Sequence, residues 1–530
     1  MKLSINSLKD TAAWNGYKLP AFDVEAVSAK TKAAPTWLHF GAGNLFRAFQ
    51  AAVAQKLIEE GAMETGVITC ESYDDEIVTK CFHPVDNLTV AVTLEADGRI
   101  EKEVIGSVAE TTTLLHDMDR VKEIFASPSL QMVSFTITEK GYSLYNANHE
   151  LLPVVVEDKK AGPAAAKSFM AVLATLLLHR MHTCGKPLAM VSMDNCSHNG
   201  AKLQGAIMEF VEAWKEAGLI SAEEYAYLTE KVAFPWSMID KITPRPAPEI
   251  ADKLEADGLE NMHPFVTSKN TYIAPFVNAE RPQYLVIEDD FPNGHPPLDK
   301  AGVIFTTRDT VNNAEMMKVC TCLNPPQTAL AVYGCMMGFT SIAKEVQDPE
   351  LYKLIDRMCH DEGMPVVVDP GVLSPKAFLD EVFETRLPNP FIPDTPQRIA
   401  TDTSQKVSIR FGNAIKNYEA MGKGKAAELK YIPLVLAGWL RYLIAVGDDG
   451  KPFQCSADPL LASLQEKLSG IELGKVDDAS VAKLEPILHD ATIFGIDLYS
   501  CGLAEKVIGY WKEMMAGPGA IRATLKKYTA

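Results

Sequence analysis

Trp37-Leu38-His39-Phe40-Gly41-Ala42-Gly43-Asn44-Leu45-Phe46-Arg47 reads as a β-strand that turns on two glycines into a helix. Gly41 permits a tight turn and Gly43 lets backbone come close to a pyrophosphate. The N–H groups at the helix start, with the positive end of its dipole, attract the anion. Leu45, Phe49, Val53 and Leu57 recur every four residues on one face, as an amphipathic helix requires. A second apolar run, Gly66 to Cys70, ends in Glu71, which is placed to accept hydrogen bonds from a ribose diol and to repel a 2′-phosphate, with Asp74 and Asp75 adding to the repulsion. Phe46 takes the place of a third glycine, so strand and helix are expected to pack less closely than usual. Arg47 opposes the helix dipole unless an anion lies nearby, which favours an anion site. Read alone, the motif also suits an ordinary βαβ unit whose glycines serve only the turn.

A chain of 530 residues exceeds one core, and 47% apolar with 23% charged residues describes a globular protein of two large domains. The formal net charge of −18 argues against nucleic acid or an anionic membrane as partner, so an anionic substrate needs local positive charge. The longest apolar run, Met170 to Leu178, is too short to span a bilayer. The first residues, Met1 to Asn6, carry no apolar core or cleavage site, so secretion is not expected. Ten cysteines are scattered without framework spacing, which suits a reduced, cytoplasmic chain. No set of ligands has metal spacing, so no metal is expected; His179 and His182 have no third partner in sequence.

Strand-like runs alternate with helical ones through the first half: Thr36 to Phe40, Val67 to Cys70, Leu88 to Leu94, Gln131 to Thr136 and Leu188 to Met193. This pattern predicts an α/β fold, a Rossmann-type doubly wound sheet with helices on both faces, over residues 1–298. From about residue 300 helical patterns dominate, so residues 299–530 are expected to form a mainly α-helical substrate-binding domain. Two strands run into polar clusters, Thr138-Glu139-Lys140-Gly141-Tyr142 and Asp194-Asn195, and ligands bind outside such strand ends.

The segment Glu315 to Gln327 is apolar around one lysine, Lys318. A desolvated lysine loses affinity for its proton and can act as a general base, with Glu315 one turn before it to pair or relay. A lysine that reaches from a packed helix to solvent is the other reading.

Gly41 to Ala48, Thr138 to Tyr142, Asp194-Asn195 with His198-Asn199-Gly200, and Phe234 to Pro244 together resemble the polyol-specific long-chain dehydrogenases. The resemblance continues through Glu315 to Gln327, Asn389 to Arg398 and Ser404 to Lys406, nearly the whole chain. It implies a metal-independent NAD oxidoreductase, with the substrate in the cleft between a Rossmann domain and a helical domain. The family's catalytic lysine falls on Lys318, its carbonyl-polarising asparagines on Asn195 and Asn324, and its gating acid on Glu315. Gln327, Arg398 and Lys406 fall on substrate-contacting positions; Arg398 could hold a carboxylate bidentately. The cofactor positions are Gly41, Gly43, Asn44, Leu45, Glu71, Glu139, Lys140 and Asp240.

Two features depart from the family. Five residues lie between Lys318 and Asn324 where four are expected, which implies a one-residue bulge or a different lysine register; Gln327 stands where the family usually has histidine. The implied substrate is a small sugar acid or polyol, with the D-mannonate/D-fructuronate pair first and mannitol, arabinitol or tagaturonate as alternatives. The non-enzymatic alternative is a nucleotide-binding regulator of the same fold. The resemblance favours a monomer.

Overall fold

A computed structural model of the chain describes residues 1–146 and 148–530. It divides into two compact units, Met1–Asn312 and Asn313–Ala530. The sequence boundary after residue 298 precedes the strand Ile304–Thr306, which pairs with Tyr284–Glu288 inside the first unit.

The first unit is built on a parallel sheet of β1 (Trp37–Phe40), β2 (Val67–Glu71), β3 (Val108–Thr113), β4 (Met132–Phe135), β5 (Leu188–Ser192) and β6 (Val232–Ala233). Their spatial order is β3-β2-β1-β4-β5-β6, all neighbours parallel. This is the doubly wound dinucleotide-binding order, with the topological switch between β1 and β4. Alternation along the strands feeds two cores. Leu38, Phe40, Ile68, Val133, Phe135 and Met190 pack on one face against the helices Phe169–Thr183 and Asn199–Glu216. Trp37, Val67, Met132, Ala189 and Val191 pack on the other against Ala51–Glu59. Burial on both faces explains why these strands read as continuous apolar runs. The apolar run Met170 to Leu178 is the buried body of one core helix, and among the described residues no helix is long and apolar enough to cross a membrane.

The run Leu88 to Leu94, expected in the parallel sheet, lies elsewhere. Thr89–Leu94 forms a hairpin with Ile100–Ile105 and pairs with Phe276–Ala279 in a separate three-stranded sheet. The turn between the hairpin strands holds Asp97-Gly98, with Gly98 at φ +89°, a signal for antiparallel return. The vacated edge belongs to β3, whose threonines make it read as polar.

Among the described residues no strand follows Thr306, and the second unit is helical. Its centre is Tyr431–Tyr442, buried along its length, against Asn324–Met336. Tyr333 fixes that contact through its hydroxyl, which donates to the Leu434 carbonyl at 2.8 Å.

Candidate functional site

The turn after β1 has the form the sequence requires. Gly41 sits at φ +106° with its N–H on the Cys70 carbonyl (3.0 Å), and a Cβ there would lie 2.3 Å from the Thr136 carbonyl oxygen. Nothing lies within 4 Å of where a Cβ on Gly43 would be. The first glycine is therefore demanded by protein packing, whereas the second leaves open space beside the backbone. Such space at a switch point suits a dinucleotide pyrophosphate. Asn44 and Leu45 open the helix, Leu45 against the core, and Phe46–Gln50 continue it as a π turn. Phe46 stacks on His39 at 4.3 Å, which supplies the strand–helix spacing that a third glycine would have closed. The His39 ring is held by Ser134 Oγ (2.7 Å) and Thr136 Oγ1 (2.8 Å), and burial pushes its pKa down to about 3.

Glu71 does more than the sequence suggested. It is buried at the end of β2 and accepts N–H bonds from Ala42 (2.9 Å), Tyr73 (2.9 Å) and Asp74 (3.2 Å). Burial raises its pKa against the pull of those donors. The carboxylate thus locks the glycine turn from the end of β2.

Two sequence readings near this turn are corrected. Arg47 does not face an anion: it is 1% exposed, donates to the Ala274 carbonyl and Asn44 Oδ1 (2.8 Å each), and lies over the Phe82 ring. Asp74 is buried and accepts from Thr267 and Thr271 hydroxyls (2.6 Å each), so it ties two loops together. Asp75 pairs with His116 at 3.0 Å.

The cluster after β4 is held in an unusual conformation. Thr138 has φ 65° and ψ 159°, a region that costs a non-glycine residue on the order of 1–3 kcal/mol. Asp194, two residues beyond β5 and buried, holds it: its carboxylate accepts from Ile137 N (3.0 Å), Thr138 N (2.8 Å) and the Tyr142 hydroxyl. Glu139 and Lys140 are thereby presented at the surface, Glu139 paired with Lys202. Asn195, next to Asp194, is exposed. Asn199 is fully buried and joins β5 to a further strand. Its side chain donates to the Asp194 carbonyl (3.0 Å) and Ser237 Oγ (2.9 Å) and accepts from Ser237 N (3.0 Å). Asp240 ends that strand, Ser237–Asp240, and is buried. Turns after β1, β2, β4 and β5 thus converge, while Asp240 belongs to a separate three-stranded sheet. The motif alone assigns Asp194 no role; its signal in the sequence is an acid at the end of an apolar strand.

In the second unit Glu315, Lys318, Asn324 and Gln327 follow one another along one segment. Glu315 lies in the helix Arg308–Met317, Lys318 opens the π turn Lys318–Cys322, and Asn324 begins the helix Asn324–Met336. Leu323 N–H reaches the Lys318 carbonyl at 2.9 Å, an i→i+5 bond. The extra residue between Lys318 and Asn324 is therefore taken up as a π bulge, which inserts one residue and re-aims the side chains around it. Lys318 is 2% exposed. Asn324 and Gln327 are half-buried on one face.

Arg398 is exposed, and its fork is engaged by Asp394 four residues before it, at 2.7 and 2.6 Å. Lys406 is half-buried, donates to the Thr401 carbonyl, and is held below the usual lysine range by burial and by Arg410. Among the described residues no group of three or more His, Cys, Asp or Glu is placed to hold a metal ion.

Comparison with known proteins agrees with this architecture. The mannitol dehydrogenase Rossmann domain matches residues 35–300, and the mannitol dehydrogenase C-terminal domain matches residues 310–515. The chain is 48% identical to the D-mannonate oxidoreductase of Thermotoga maritima, over 99% of either chain. The substrate-free D-sorbitol dehydrogenase structure superposes with a TM-score of 0.79 at 23% identity, covering 99% of this chain and 100% of that one, a likeness of fold. The ternary complex of Pseudomonas fluorescens mannitol 2-dehydrogenase with NAD and D-mannitol superposes with a TM-score of 0.71 at 25% identity, covering 99% of each. With both domains matched in order and a relative of this identity along its full length, the chain belongs to the mannitol dehydrogenase family.

Proposed function

We propose that this protein is a cytoplasmic, NAD-dependent oxidoreductase that interconverts a secondary alcohol and a ketone in a small sugar acid, D-mannonate and D-fructuronate before any other pair. The observation that carries the reading is the 48% identity to a D-mannonate oxidoreductase along the full length of both chains. Local cations in a chain of net charge −18 support an anionic substrate.

In this reading the turn of Gly41, Gly43, Asn44 and Leu45 holds the pyrophosphate and Glu71 takes the ribose hydroxyls. Glu139, Lys140 and Asp240 complete the cofactor side. A nicotinamide held there would supply the hydride acceptor for oxidation and the hydride donor for reduction. Lys318 takes the hydroxyl proton at Nζ during oxidation and returns it during reduction, and Glu315 relays it. Asn195 and Asn324 donate N–H bonds to the oxygen as negative charge grows on it, an effect worth ~3 kcal/mol per donor. Gln327, an amide rather than a titratable ring, holds a substrate hydroxyl without changing charge. Arg398 and Lys406 contribute positive charge toward substrate oxygens.

The test is reduction of a panel of neutral ketoses and keto acids with NADH or NADPH, followed by absorbance of the reduced nicotinamide. D-Fructuronate with NADH should give the highest kcat/KM. A neutral ketose turned over faster than every keto acid would sink the substrate class, and absence of turnover with a tight NADH complex would favour the regulator.

A further inference from the structure

Among the described residues near this segment, Arg410 is a strongly basic side chain whose place in the fold explains little of it. It lies in the π turn Ser408–Gly412, one helical turn after Lys406, whose carbonyl accepts its N–H at 2.9 Å. Its Nη1 donates to Thr328 Oγ1, and that hydroxyl donates to the Asn324 carbonyl at 2.8 Å. Arg410 also lines, with Cys320, Thr321, Pro325, Met358, Phe411 and Ile432, a mostly apolar cavity of about 10 Å³ beside the π turn of Lys318, too small to admit a carboxylate, so any ligand meets the guanidinium outside it. Among the described residues no carboxylate lies within ion-pair distance of it, and Nε and Nη2 have no protein acceptor.

Arg410 is half-buried; two fully buried arginines show what a structural arginine looks like in this chain. Arg180 donates to the carbonyls of Phe125, Ser127, Leu130, Lys186 and Pro187. Arg441 donates to those of Met514, Val446 and Gly447. Both forks are consumed by backbone at loop closures. Arg410 closes nothing comparable, yet burial alone pushes its pKa down to about 10, with no opposing anion. Its neighbour Lys406 is also depressed, by burial first and then by Arg410. Like charges one turn apart on a helix repel, and a guanidinium withdrawn from water without an anion is costly. A carboxylate would relieve both. The edge left open is the right one, because Nε and Nη2 present parallel N–H groups that match the two oxygens of a carboxylate.

We infer that Arg410 receives the carboxylate of an anionic substrate, with Lys406 beside it, and that Arg398 is kept from this role by Asp394. The inference rests on the sugar-acid reading and names its specificity-determining residue. It also gives Thr328 a part, as the hydroxyl that aims the guanidinium.

The test compares wild type, Arg410→Met, Arg410→Lys and Thr328→Val as full-length protein, with D-fructuronate and with D-fructose as oxidants of NADH. Arg410→Met should lower kcat/KM for D-fructuronate by about 100-fold, mostly through KM, and change that for D-fructose by less than about threefold. Arg410→Lys, which keeps the charge without the fork, should fall between. Equal losses with both substrates, at unchanged NADH affinity, would overturn the inference by making Arg410 merely structural. Should Arg410→Met fail to fold, Thr328→Val decides: a loss confined to the keto acid supports the role, and an even loss refutes it. Failure of the sugar-acid reading shows separately, in the wild-type preference alone.

Discussion

Replacing Glu345 by glutamine is expected to remove one large contribution to the pH dependence of stability in the second unit. Glu345 ends the short helix Ile342–Glu345, is fully buried against Gly334, and neither carboxyl oxygen has a hydrogen-bond partner. Burial, with Asp394 and Asp348 nearby, pushes its pKa up to about 9. The folded chain therefore keeps a proton that the unfolded chain, titrating near 4.5, gives up. Stability from this group is fully present below about pH 4.5 and is lost progressively as pH rises toward 9. Each pH unit in that window is worth ~1.4 kcal/mol, so the interval from pH 5 to 8 amounts to about 4 kcal/mol. For a unit of this size that is a fall in Tm on the order of 8–16 °C. Thermal unfolding of wild type and Glu345→Gln at pH 5 and pH 8 measures it directly. The variant should lose less Tm than wild type between pH 5 and pH 8, by this amount, and melt above wild type at pH 8. Parallel shifts in the two proteins would show that Glu345 titrates normally and that its burial is relieved in solution.

Three further outcomes are expected. Lys318→Ala should lower turnover by ~10²–10⁴ with little change in NADH affinity, whereas Lys241, whose ammonium donates to the Glu280 carbonyl and Gln283, should tolerate alanine; steady-state kinetics with near-normal turnover for Lys318→Ala would move the base elsewhere. Gly41→Ala, which meets the Thr136 carbonyl at 2.3 Å, should destabilise the first unit, while Gly43→Ala should keep its Tm and lose NADH affinity; unchanged affinity in a fluorescence titration would take the pyrophosphate away from that turn. Asp194→Asn replaces an acceptor of two N–H groups and a hydroxyl by an amide, so the Thr138 turn should relax, with KM for NADH rising about tenfold and Tm falling; a variant that loses Tm but keeps KM would make Asp194 only structural.

How much of this was legible follows from the range of the interactions. The turn of Gly41 and Gly43, the alternation of strands and helices, and the segment Glu315 to Gln327 are local patterns, set by residues within one or two turns of each other. The same holds for the extra residue between Lys318 and Asn324, where a count of residues announced a bulge and the i→i+5 bond at Leu323 gave its form. Strand partners were not legible in that way. Thr89–Leu94 and Val108–Thr113 are both plausible sheet members by composition, and only the pairing across the chain assigns one to a hairpin and the other to the parallel edge. The Asp394–Arg398 pair could have been suspected from its i,i+4 spacing, but whether a fork is engaged depends on rotamers that spacing does not determine.

By itself, then, the sequence determined the fold class, the glycine turn after the first strand and the order of the candidate residues Glu315, Lys318, Asn324 and Gln327, because periodicity and backbone conformational limits act locally. Tertiary structure alone decided which charges are answered. Arg180 is satisfied by carbonyls far along the chain, Arg398 is engaged by a carboxylate, and Arg410 by neither. Glu345 lost its solvent altogether. The free energy of a charge depends on everything within several ångströms of it, and that neighbourhood exists only once distant segments have packed.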